Sequence, residues 1–91
     1  MYYIYILVCD KAFFYVGLTT DIETRLVQHQ KHQSPHTKRY TEVELAYSEK
    51  FIKRSDAEQR EKQLKGWSRA KKNALIIGNI KLLKEISKSK S

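Results

Sequence analysis

The sequence predicts an α+β domain in which helices cover a small sheet of three strands, in the order ββαβααα. Three observations carry this. Residues 2–9 (YYIYILVC) and 13–18 (FFYVGL) are β-branched and aromatic runs separated by a short turn, the pattern of a hairpin. Val43, Leu45 and Tyr47 alternate with Glu44, Ala46 and Ser48, which reads as a third strand with one face more exposed. Apolar residues at helical spacing behind capping signals account for the remainder.

The first strand carries Ile4, Ile6 and Val8 on one face and Tyr3, Tyr5 and Leu7 on the other, so it is expected to be covered on both sides. Asp10, Lys11 and Ala12 supply the turn, and Gly17 near the end of the second strand signals a bulge or the close approach of another backbone. Thr20-Asp21-Ile22-Glu23 reads as a capping box with Thr20 as the cap, opening a helix to about Gln30 with Ile22 and Leu26 buried. Residues 32–41 hold the single Pro and read as a loop. Ser55-Asp56-Ala57-Glu58 is a second capping box, Gly66 a stop, and Ser68 the cap of a further helix ending near Gly78. A last helix is expected over 79–86, giving one domain over 1–86 and a frayed basic tail over 87–91.

A chain of 91 residues and 10.8 kDa has room for one domain, and such a chain hides roughly 60–70% of its unfolded surface on folding. Its 41% hydrophobic content is too high for a disordered chain. Cys9 is the only cysteine, which excludes an internal disulfide and fits a reducing compartment. The apolar start lacks a basic leader and is too short to span a bilayer, so a soluble, cytoplasmic domain without membrane contact is expected.

The charge is unevenly spread. Residues 1–49 hold five basic and six acidic residues, whereas residues 50–91 hold thirteen basic and four acidic ones. A neutral half joined to a cationic half suggests a face aimed at a polyanion, and a solvated lysine-rich surface is the plainer reading.

Several polar residues stand out of place. On the helix after Ser55, Ala57 and Leu64 define the buried stripe, and Glu61 falls only about 40° from Ala57 at 100° per residue. A carboxylate there is costly unless a cation or donor meets it. Arg25 and His29 are four apart and border the Ile22/Leu26 stripe, which points both toward the sheet. Tyr5 and Tyr15 project from paired strands with apolar bodies and polar tips. These groups suit phosphodiester hydrolysis. Glu61 would hold one Mg²⁺ or Mn²⁺, Arg25 would fork onto the phosphate, and Tyr5 or His29 would take a proton from water. The plainer reading is a buried Glu61–Arg25 ion pair with locally satisfied tyrosines. A zinc site from Cys9, His29, His32 and His36 matches no closed ligand spacing.

The residues resemble the GIY-YIG nuclease superfamily, in particular its small single-domain bacterial members. Tyr3-Ile4-Tyr5 stands for Gly-Ile-Tyr, with Tyr3 in place of the first Gly, and Tyr15-Val16-Gly17 stands for Tyr-Ile-Gly. Arg25 and His29 follow on the next helix, and Arg60-Glu61-Lys62-Gln63-Leu64-Lys65 frames the metal-binding Glu. Asn73, twelve residues beyond Glu61, completes the set. The likeness covers roughly residues 2–76. It implies a three-stranded antiparallel sheet and single-metal cleavage leaving 5′-phosphate and 3′-hydroxyl ends. It also implies Tyr5 as the favoured base, with Tyr15 orienting water or phosphate and Gly17 and Asn73 in support.

The expected activity is therefore a metal-dependent endonuclease or nickase on DNA, more than RNA, with little sequence specificity and a place in repair or recombination. Lys65, Arg69, Lys71 and Lys72 would contact the backbone, and Trp67 would serve as a stacking platform or, as favoured, a helix-junction core residue. The alternatives are a non-catalytic nucleic-acid-binding module, or an adaptor whose target recognition comes from a protein partner.

Overall fold

A computed structural model of the chain describes residues 1–31, 37 and 39–78. The expected helix over 79–86, the tail over 87–91, His32 and His36 lie outside the described residues. The elements are β1 (Tyr2–Cys9), β2 (Phe13–Thr19), α1 (Ile22–Gln30), β3 (Val43–Phe51), α2 (Arg54–Lys65) and α3 (Arg69–Ile76).

The sheet is antiparallel throughout, in the order β2-β1-β3. Central β1 is buried on both faces, as its unbroken apolar run requires. Ile4 and Ile6 face one core with Val16, Ala57, Leu64 and Leu75, which brings α2 and α3 to that side. Tyr5, Leu7 and Cys9 face a second core with Val43, Tyr15 and Leu26, which brings α1 to the other. Burying each of Ile4, Ile6, Leu7 and Leu64 contributes about 1.5–3 kcal/mol. Burial also pushes the Cys9 thiol up from its ordinary pKa, with the Asp10 charge adding to the effect, so it behaves as a small packed hydrophobe.

The β1–β2 turn puts Asp10 and Lys11 in the left-handed region, with φ of 51° and 57°. Asp tolerates this better than most residues, and its carboxylate has a second task. Asp10 Oδ1 accepts the backbone N–H of Thr41 at 2.9 Å and of Glu42 at 2.7 Å, and Asp10 N–H donates to the Glu42 carbonyl at 2.8 Å. The hairpin tip is thus clamped to the entry of β3.

Three local expectations are corrected. The cap of α1 is Asp21 and not Thr20: Asp21 accepts from Thr24 N–H at 3.2 Å and Thr24 Oγ1 at 2.8 Å, an ionised acceptor that a hydroxyl one residue earlier does not displace. Helix α2 begins at Arg54, so Ser55 lies inside its first turn, and the cap, Lys53, makes no side-chain bond. An Arg54–Glu58 pair at 2.7 Å and the fully buried Ala57 hold that turn instead. Gly66 does close α2, in a right-handed conformation (φ −83°), with its N–H shared among carbonyls of the last turn. Finally, β3 carries a bulge. Ile6 pairs with Tyr47 but Leu7 pairs with Leu45, so Ala46 is an extra residue. The bulge reverses the side-chain phase: Val43 packs in the α1-side core, while Tyr47 and Phe51 join the α2 side. Ser68 caps α3 as expected, accepting from Lys71 N–H at 3.3 Å.

Candidate active site

Tyr5 pairs with Gly17 across β1 and β2. A Cβ built on Gly17 would overlap the Tyr5 ring and hydroxyl, so the tyrosine lies over the space that a side chain would fill. The neighbour that Gly17 makes room for is this side chain, and not the bulge or second backbone expected from the sequence; the approach carries the Tyr5 hydroxyl over β2, an edge strand of the sheet.

Helix α1 brings its partners. Arg25 and His29, one turn apart, both turn to Tyr5. The Tyr5 hydroxyl lies 3.0 Å from His29 Nε2 and accepts Arg25 Nε–H at 3.4 Å. Arg25 Nη1 donates to Gln28 Oε1 at 3.0 Å. The Tyr15 ring stands 6.3 Å from that of Tyr5 and 5.3 Å from that of His29. Tyr5 is 3% exposed and His29 is fully buried, whereas Arg25 is half-buried and reaches the surface. His29 Nδ1 lies 2.6 Å from Thr37 Oγ1, which is also fully buried.

Burial pushes the Tyr5 pKa above its ordinary value; the Arg25 hydrogen bond opposes this, and neighbouring Tyr15 and the charge of Glu61 reinforce it. The Arg25 pKa is raised, chiefly by its bond to Tyr5. At neutral pH the hydroxyl keeps its proton, and a partner able to take that proton sits beside it.

Glu61 does not enter the buried stripe. Ala57 and Leu64 are fully buried, but Glu61 emerges at the margin of their contact, with its side chain 23% exposed and 3.3 Å from Lys65 Nζ. It does not pair with Arg25, which is committed to Tyr5 and Gln28. Instead it opens on a groove of about 720 Å³ shared with Leu18, Arg54, Ser55, Glu58, Gln59 and Lys62. Glu61 touches neither Tyr5 nor Arg25, yet its charge reaches the Tyr5 hydroxyl. Among the described residues no group of three or more His, Cys, Asp or Glu side chains is gathered to hold a metal ion. Glu61 shares its groove with Glu58 and is paired with Lys65; a carboxylate so placed has the chemistry of a single protein ligand to a hard divalent ion whose other ligands are waters and phosphate oxygens.

The remaining expected residues lie apart from this cluster. Asn73 lines a groove with Val8, Lys11, Phe14, Arg69 and Ala70, near the hairpin tip. Lys65 is engaged by Glu61, Arg69 lies over the Phe14 ring at 5.7 Å, and burial lowers the Lys72 pKa. Trp67 is a junction residue packed against the α2-side core, with Arg60 at 5.1 Å and Lys71 at 4.5 Å over its ring.

Two features carry no signal in the sequence. Thr37 stands in a stretch that reads only as loop. Arg60, which reads only as a flank of Glu61, donates through Nε and Nη2 to Glu49, each at 3.0 Å, and the Tyr47 hydroxyl donates to the same carboxylate. A helical period does not reveal a bond made across to a bulged strand.

The sheet and α1 gather Tyr5, Tyr15, Gly17, Arg25 and His29 in one cluster, and similarity to known proteins places the chain in a nuclease-type family. Residues 1–73 match the GIY-YIG catalytic domain, and the chain belongs to the GIY-YIG family. Within it, the chain is similar to small proteins designated UPF0213. It is 40% identical over 76 residues to one from Natronomonas pharaonis, covering 82% of this chain and 89% of that one. It is 41% identical over 76 residues to another from Staphylococcus saprophyticus, covering 82% and 93%. The solution structure of the UPF0213 protein BH0048 from Bacillus halodurans superposes with a TM-score of 0.55 at 31% identity, covering 84% of this chain and 83% of that one.

Proposed function

We propose that the protein is a metal-dependent endonuclease or nickase that hydrolyses DNA phosphodiester bonds with little sequence preference, serving repair or recombination. The observation that carries this reading is the Tyr5 hydroxyl held between His29 Nε2 and Arg25 Nε over Gly17. The order from interior to surface is His29, Tyr5, Arg25; Tyr5 is 3% exposed, so in this reading it acts on a water held at the Arg25 side of the cluster and passes its own proton inward to His29. This order favours Tyr5 over His29 as the general base. The half-buried guanidinium of Arg25 holds the scissile phosphate, where a planar fork suits the anion. Glu61 is the ligand for Mg²⁺ or Mn²⁺, and such an ion, when bound, neutralises charge on the phosphate and on the leaving oxygen. Hydrolysis in this sense leaves 5′-phosphate and 3′-hydroxyl ends.

A second reading, a non-catalytic binding module or a partner-dependent adaptor on the same fold, draws on the Lys65–Glu61 ion pair, which occupies the carboxylate. One assay separates the two. Branched, nicked, duplex and single-stranded DNA are incubated with Mg²⁺ or Mn²⁺ and wild type, Glu61→Ala, Arg25→Ala or Tyr5→Phe. Cleavage by wild type, abolished in Glu61→Ala and Arg25→Ala and lowered by about 10²–10⁴ in Tyr5→Phe, supports the nuclease. Binding by every variant with cleavage by none would sink it.

A further inference from the structure

We propose that Thr37 is a positioning residue that accepts the Nδ1–H of His29 and so favours the tautomer in which Nε2 accepts from Tyr5. The inference rests on the nuclease reading for its catalytic consequence and on geometry for the tautomer itself.

Thr37 Oγ1 lies 2.6 Å from His29 Nδ1, and both residues are fully buried. Tyr5 already accepts from Arg25 Nε–H and turns its own proton to Nε2, so the one N–H of the neutral imidazole sits on Nδ1, where the Thr37 hydroxyl accepts it. Nε2 faces the Tyr5 hydroxyl at 3.0 Å. For Tyr5 to take a proton from water, its own proton must leave at the same time, and Nε2 is in place to accept it. The water proton goes to the Tyr5 oxygen, the Tyr5 proton goes to Nε2, the water oxygen bonds to phosphorus as the bond to the 3′ oxygen breaks, and the departing 3′ alkoxide takes a proton from solvent. The resulting imidazolium then carries protons on both nitrogens, and Nδ1–H still donates to Thr37 Oγ1. No group in the chain has to reorient. The opposite tautomer would place a proton on Nε2 and close the relay.

The fold holds Thr37 in place from several sides. Its carbonyl accepts Tyr40 N–H at 3.0 Å, the Tyr40 ring packs 5.5 Å from that of Phe13, and Asp10 grips the backbone of Thr41 and Glu42. The β1–β2 turn thereby fixes a residue that serves the site.

The test compares wild type, Thr37→Val and Thr37→Ser without metal, with long-range ¹H–¹⁵N spectra of the His29 ring recorded as a function of pH up to about 8, beyond the ordinary histidine pKa. Backbone spectra confirm that each variant is folded. Wild type and Thr37→Ser should show the proton on Nδ1, and Thr37→Val should lose that preference. Cleavage should fall in kcat about 10- to 100-fold for Thr37→Val, the effect typical of losing a histidine's orienting partner. KM should stay unchanged, and Thr37→Ser should keep most of the rate. A wild-type proton on Nε2, or an Nδ1 proton retained in Thr37→Val, would overturn the assignment, as would unchanged cleavage in Thr37→Val despite a shifted tautomer. A wild type that cleaves nothing while the tautomer follows Thr37 would overturn the nuclease reading and leave the tautomer assignment standing.

Discussion

Gly17 lacks a side chain at the one place where Tyr5 needs the room, and this close approach couples β2 to the cluster on α1. Gly17→Ala should force the tyrosine off its present position. The expected cost is about 1–3 kcal/mol, as for overpacking elsewhere, and the Tyr5–His29 hydrogen bond should break. The check is a double-mutant cycle in urea: in a Tyr5→Ala background the same substitution should cost clearly less, because the overlap is gone. Equal costs in both backgrounds would mean that Gly17 is required for another reason. Thr24 illustrates the same scale, since both of its donors meet the Asp21 carboxylate and lower its pKa.

Between elements, the Glu49–Arg60–Tyr47 group fastens α2 to β3. Burial alone would raise the Glu49 carboxyl, but hydrogen bonds from Arg60 and Tyr47, together with the Arg60 charge, leave it below its ordinary value of 4.5. Tyr47, pushed up to about 12 by burial and by the neighbouring carboxylate, remains a donor throughout the working range. A depressed carboxyl stabilises the fold fully above its unfolded pKa, and the contribution is lost as pH falls through the folded one. Urea midpoints measured from about pH 6 down to about pH 2 should therefore decline, and Glu49→Gln should remove part of that slope. At neutral pH the same variant should cost about 1–3 kcal/mol, the range for hydrogen bonds to a charged group. A Glu49→Gln protein as stable as wild type at pH 7 would show the group to be ornamental. The partnership exists because the bulge at Ala46 places Tyr47 and Glu49 on the α2 side.

Across the molecule, the thirteen basic residues of the second half are only partly idle. Arg69 covers Phe14, Lys71 and Arg60 cover Trp67, and Lys65 meets Glu61. In each of these contacts it is the charged end itself that lies over the ring or meets the carboxylate. Among the described residues no helix is long and apolar enough to cross a membrane. If this face binds DNA backbone, affinity should fall steeply with salt, and Arg69→Gln with Lys71→Gln should flatten the log–log slope by about 1 for each phosphate that is no longer neutralised. Binding titrations from low to moderate salt check this, and an unchanged slope would place the phosphate-binding residues elsewhere.

What the sequence determined by itself was whatever local spacing encodes. The doubly apolar β1, the hairpin and the i, i+4 placement of Arg25 and His29 were legible, because strand and helix periods orient neighbours along the chain; that Gly17 makes room for the Tyr5 ring was not. The family motifs were legible for the same reason. The tertiary structure alone decided the rest. The Ala46 bulge moved Tyr47 to the opposite face, and α2 docked so that Glu61 emerged at a groove instead of inside the core. Asp10 drew the β3 entry toward the hairpin tip, and Thr37 met His29 eight residues after it. Each of these depends on register, docking angle or chain closure. Those are set by interactions between distant segments, and no periodicity within one segment records them.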